Sequence, residues 1–215
     1  ATTQGLLGDA AIFDVGENFF HEGVHFSVTQ IPTYLILGLL CGLLGAMFVR
    51  TLDFTERTFH ASSLPYWMRP IVGAVILGFI GIAAYWLGGS HSLPEFYGNG
   101  YPTIKTLLDP STYFSNVSNG ELNTALPLLK GLVVLALVKM CATSITVGSG
   151  GAGGLFAPSL LIGAASGGCI GYIVHMFGWF PETSPAYFAL VGMAALVAAT
   201  THAPLTAILI GYEVT

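Results

Sequence analysis

From Met140 to Pro181 the chain carries no Asp, Glu, Lys or Arg. Nothing in that span asks to face water, so it must be packed in protein or in lipid. Within it lies Val147-Gly-Ser-Gly-Gly-Ala-Gly-Gly-Leu-Phe-Ala-Pro158, continuing as Ser-Leu-Leu-Ile-Gly163. Pro158 is harmless only in a first helical turn, where its missing N–H would have had no partner. A helix therefore starts at about Phe156. The glycines before it leave backbone amides bare of side chains. A helix N-terminus with free N–H groups carries about half a positive charge and holds anions. An anion site with no basic side chain, inside an apolar run, suits an ion that must bind and also leave.

Composition agrees with a membrane setting. Of 215 residues, 53% are hydrophobic and 8% charged, against roughly 25% charged in a soluble domain. Mean hydropathy is +0.75. The net charge of −5 gives no footing for nucleic acid. Cys41, Cys141 and Cys169 sit singly in apolar runs and read as small core residues, with no disulfide or metal framework. Neither an initiator Met nor a signal peptide is present, and the chain stops mid-pattern at Thr215. A piece of a longer polypeptide is expected.

Residues 1–33 are polar and mixed, an interfacial lead-in. The apolar segments 34–49, 70–87, 125–147, 156–177, 187–199 and 205–212 read as helices. Gly38, Gly42 and Gly45, then Gly73, Gly78 and Gly81, then Gly163, Gly167 and Gly171 form small faces for close helix packing. The polar connection 50–69 holds three of the six basic residues, Arg50, Arg57 and Arg69, and is expected on the cytoplasmic side. Residues 88–124, rich in Gly, Ser, Asn and Pro, are expected as an external loop. Tyr97-Gly-Asn-Gly-Tyr101 there reads as a turn, and Asn116-Val-Ser118 fits a glycosylation sequon. Lys130 sits near a helix start and can snorkel. Lys139 lies deeper, where a lysine marks either an electrostatic role or a structural pairing. Segment 187–199 is too short to cross, and Thr200-Thr-His-Ala-Pro204 breaks it. Short segments broken by Gly and Pro are the mark of transporters with discontinuous helices.

At this point the residues resemble the CLC chloride channels and chloride/proton exchangers. Gly148 to Pro158 is similar to that family's Gly-x-Phe-x-Pro motif, with Gly154, Phe156 and Pro158 in the fixed places. Val191-Gly-Met-Ala-Ala195, Ala203-Pro-Leu-Thr-Ala207 and Glu213-Val-Thr215 resemble a second signature, and Tyr34-Leu-Ile-Leu-Gly38 the helix that opens the second half. The resemblance implies an all-α polytopic membrane fold with tilted, broken helices, residues 34–215 being the second half of an inverted-repeat domain, truncated at its C-terminus. It implies chloride transport, with Leu155, Phe156 and Gly154 as the anion-binding residues. Gly153, Pro158 and Lys139 would support them. The Phe156 ring either shapes the pore or packs.

No organic cofactor, metal or enzymatic step is implied; chloride is the transported ligand. The expected partners are the bilayer, the missing first half and later helices of the same protein, and a second copy in a homodimer, in the cell (inner) membrane. The first-half motifs Gly-Ser-Gly-x-Pro and Gly-[Lys/Arg]-Glu-Gly-Pro are absent from these residues. Channel and exchanger therefore stay open, and His202 stands where the family commonly has Arg.

Two alternatives compete. Ala164-Ala-Ser-Gly167 approaches the Gly-x-Ser-Gly of intramembrane serine proteases, with Ser166 as nucleophile and His175 or His202 as base. A cation or water channel would instead want pore acids, and none lie in 140–181. The glycine run is no P-loop, since no Lys-Ser/Thr follows it.

Overall fold

A computed structural model describes residues 30–88, 96–114, 122–179 and 183–214. These residues are all helical or connecting. In chain order the helices are α1 (Ile31–Ala61), α2 (Arg69–Gly88), α3 (Tyr101–Leu108), α4 (Ser111–Phe114), α5 (Leu122–Gly148), α6 (Phe156–Met176), α7 (Pro185–Thr201) and α8 (Pro204–Val214), with a 3-10 turn at Tyr66–Met68. Helices α1, α5 and α6 and the stretch Tyr66–Ala84, which takes in most of α2, are long and apolar enough to cross a membrane. Residues 1–29 of the lead-in and all of 115–121, the sequon included, lie outside the described residues.

Helix α1 begins at Ile31, because Pro32 sits in its first turn, where it costs no hydrogen bond. It also runs on to Ala61, through half of the stretch expected as a connection. No Gly or Pro interrupts 46–64. The hydroxyls of Thr51, Thr55 and Thr58 donate to carbonyls one turn back. Asp53 and Arg57 pair one turn apart at 2.9 Å. At 31 residues, α1 is about 46 Å long, more than the roughly 30 Å hydrocarbon core. Its polar end projects beyond the apolar slab.

The level of each helix can be read against α1. Gln30 Nε2 donates to Thr183 Oγ1 at 2.8 Å, the rings of Tyr34 and Phe188 stack at 5.0 Å, and Gly45 packs on Ala199. The numbers rise together, so α7 runs parallel to the first half of α1 and ends beside its middle. Helix α6 runs back antiparallel: Gly171 meets Pro185, Gly167 meets Phe188 and Ala189, and Gly163 meets Gly192 and Met193. A Cβ at Gly163 or Gly167 would collide with backbone of α7, so this glycine stripe packs as expected. On α1 only Gly45 does so; Gly38 and Gly42 have open space beside them.

The region 88–124 is more than a surface loop. Ile104, Leu107 and Leu108 recur at helical spacing on α3 and are all buried. Tyr113 is buried as well, its hydroxyl donating to Leu107 O at 2.9 Å and its ring end meeting Gly168 on α6. Burial pushes that phenol well above the usual range and keeps it neutral.

Candidate functional site

The site is built at the junction of α5 and α6. Helix α5 ends at Gly148, and Gly150 just beyond it has φ 88°, a left-handed conformation glycine adopts without strain. Gly151 N–H then donates to Thr146 O, and Gly150 N–H to Val147 O, both at 2.9 Å. This pair of bonds closes a Schellman cap on the Thr146 and Val147 carbonyls of the last turn of α5. The next backbone N–H with a partner is that of Ser159, donating to Leu155 O at 3.0 Å. Among the described residues, the amides from Ala152 to Ala157 donate to no other group, Pro158 having none to give. The first turn of α6 therefore presents bare N–H groups, and Leu155 brings no side-chain cap.

The depth of this terminus follows from packing. Ser159 Oγ lies 3.3 Å from Thr200 Oγ1 on the last turn of α7. Neighbouring Ala199 touches Gly45, which stands about 21 Å from the start of α1. Helix α6 thus begins roughly halfway along α1. Gly148, by contrast, packs on Thr55 and Glu56, about 15 Å further along α1. Residues 149–155 climb back over that distance as a re-entrant segment. Irregular backbone at such depth is tolerated only where protein covers it or a cavity adjoins it. Leu155 and Phe156 are 38% and 37% exposed, and Ala152, Gly153 and Gly154 are open too, while Pro158 is buried.

Lys139 is 2% exposed, and its Nζ donates to Phe96 O at 2.9 Å and Gly98 O at 2.7 Å. Among the described residues no acid pairs with it. The turn it holds is tied to α2 by Tyr97 Oη, which donates to Leu77 O at 2.7 Å. Gly100 of the same turn rests on Leu161, five residues into α6. Of the two roles open to Lys139, the structure shows the pairing, with carbonyls as partners. Lys130 is exposed, as a snorkelling lysine would be.

The residues of the protease alternative are dispersed. Ser166 Oγ donates to Ile162 O of its own helix at 2.7 Å. His175 lies nine residues on, about 13.5 Å along α6 and half a turn around it. His202 caps α7 with φ 55°, the one non-glycine residue of positive φ among those described. No cluster of three potential metal ligands occurs among the described residues.

Sequence reasoning missed Ser159. Its hydroxyl donates to Leu155 O at 2.8 Å, and the residue is 1% exposed. The available signal was a serine four residues after Leu155, a spacing that allows this bond back.

The family model described as voltage gated chloride channel matches residues 1–215. The chain belongs to that family. A putative chloride channel protein ClcB-like from Ralstonia nicotianae (strain ATCC BAA-1114 / GMI1000) is 36% identical, covering all of this chain and 47% of the relative. The voltage-gated ClC-type chloride channel ClcB of Escherichia coli O139:H28 (strain E24377A / ETEC) is 34% identical over 89% of this chain and 41% of its own length. The chain spans about half the length of these relatives. It is an integral membrane segment, and neither relative's name points to a protease.

Proposed function

We propose that the intact protein carries chloride across a membrane, with the anion held at the N-terminus of α6 by the amides of Leu155 and Phe156. Gly154 and Gly153 leave the approach free of side chains. The observation that supports this most is the row of unpartnered amides at half depth, within a run, 140–181, that has no Asp, Glu, Lys or Arg. The helix dipole adds to them, and low dielectric makes each donor worth more than in water. Lys139 supplies a buried cation near the second turn of α6. Backbone donors suit a transported ion, because they bind without the depth of a salt bridge.

The reading extends to transport rather than catalysis, an inner-membrane location, a homodimer, and a first half that completes the pore. Bromide-soaked crystals of the intact protein test the site. An anomalous peak within hydrogen-bonding reach of the Leu155 or Phe156 nitrogen supports it, and bromide bound only elsewhere refutes it. Chloride efflux from proteoliposomes, read with and without proton uptake, separates exchanger from channel.

A further inference from the structure

The peptide unit joining Leu155 to Phe156 is planar and trans. Its carbonyl and its N–H point in opposite directions, so whatever pins the Leu155 oxygen also aims the Phe156 N–H. That oxygen accepts two bonds, both from Ser159: the backbone N–H at 3.0 Å and the hydroxyl at 2.8 Å. A carbonyl that accepts two donors is polarised, and the N–H across the same peptide becomes the stronger donor.

Ser159 is itself held. Its oxygen lies 3.3 Å from Thr200 Oγ1. With the Ser159 proton on Leu155 O, the single Thr200 proton goes either to Ser159 Oγ or back to Leu196 O or Val197 O, at 3.0 and 3.1 Å. One turn further along, Gly163 and Gly192 bring α6 and α7 into backbone contact. The first turn of α6 is thus fastened to the end of α7 at the level where α6 presents its free amides.

We propose, on the footing of the amide site above, that Ser159 is a positioning residue for anion transport. It sets the aim and donor strength of the Phe156 N–H, and Thr200 tethers it across the helix pair. Ser166 provides an internal control. It makes the same bond to the carbonyl one turn back, at 2.7 Å to Ile162 O, but two turns inside α6. The N–H across that peptide belongs to Gly163, within the helical ladder and away from the terminus.

The test uses the intact protein in detergent. Chloride isotherms and thermal unfolding are measured for wild type, Ser159→Ala, Ser159→Thr, Thr200→Val and Ser166→Ala. Ser159→Ala is expected to weaken chloride binding about five- to tenfold, the size of one hydrogen bond. Thr200→Val is expected to weaken it about two- to threefold on the same scale. Ser166→Ala should lose similar thermal stability and stay within about twofold in affinity. Thr keeps a γ-hydroxyl that can bond one turn back, so Ser159→Thr should recover most of the loss. If Ser159→Thr fails to fold, Thr200→Val against Ser166→Ala decides.

Chloride affinity of Ser159→Ala within twofold of wild type would overturn the proposal, as would an equal loss in Ser166→Ala. Bromide crystallography on wild type separates this from failure of the site itself. Bromide on the Phe156 N–H together with an unchanged Ser159→Ala isotherm sinks only the role of Ser159. Bromide bound only elsewhere sinks the amide site and this role with it.

Discussion

The ammonium of Lys139 donates to the carbonyl oxygen of Phe96 across 43 residues of chain, at 2.9 Å. It takes Gly98 O as well, and so holds a turn that wedges between α2 and α6. Among the described residues no carboxylate stands beside it, so its hydrogen-bond partners are carbonyls alone.

Lys139→Met should destabilise the intact protein by about 3 kcal/mol, because it strands two buried carbonyls. Lys139→Arg, with several donors on a planar fork, should recover at least half. Thermal unfolding in detergent reads both. Equal losses for Met and Arg would mean that the pocket's shape matters more than its hydrogen bonds.

The backbone contact between Gly163 and Gly192 gives a sharper contrast. Gly163→Ala places a Cβ against the Gly192 carbonyl and within 2.8 Å of Met193 Cα. Backbone cannot step aside cheaply, so a loss of about 1–3 kcal/mol is expected. Gly78 on α2 has nothing within 4 Å of its added Cβ. Gly78→Ala should be neutral, or stabilising by up to about 1 kcal/mol through helix propensity. A comparable loss at both positions in unfolding experiments would refute the packing assignment.

Topology follows from the charges. Arg50, Arg57 and Arg69 gather at one end of the α1–α2 pair, which is expected inside. In a background lacking Cys41, Cys141 and Cys169, Ser62→Cys should resist an impermeant external thiol reagent in whole cells. Ser111→Cys, at an exposed position at the start of α4, should react. The reverse pattern would invert the orientation.

How much was legible in the sequence depended on how local the cause was. Pro158 after a glycine run fixes the start of α6 at Phe156. Thr200 to Pro204 gives the break before α8, and the spacing of Gly163, Gly167 and Gly171 gives the face that meets α7. Each signal lies within a few residues of its effect. The end of α1 was hidden because polar residues mark the edge of lipid and not the end of a helix. The tucked helix α3 was masked by the turn-forming residues around it, although Ile104, Leu107 and Leu108 carry its pattern. The partners of Lys139 and the pairing of Ser159 with Thr200 depend on segments about forty residues apart that only tertiary packing brings together.

The central claim is that backbone at the start of α6, and no side chain, holds the anion. Side-chain changes at Leu155 should then matter little. Leu155→Ala should keep chloride affinity within about an order of magnitude, or about 1.4 kcal/mol. Phe156→Ala should weaken it more, by widening the site while leaving the amide in place.

Leu155→Pro removes one donor outright and restricts Gly154 before it. The most direct measurement is chloride titration calorimetry on the folded Leu155→Pro protein in detergent, beside wild type and Leu155→Ala. Abolished binding in Leu155→Pro with near-normal binding in Leu155→Ala is the expected result. A folded Leu155→Pro protein that binds chloride as wild type does would contradict the helix-terminus site and make Lys139 the leading candidate for holding the anion.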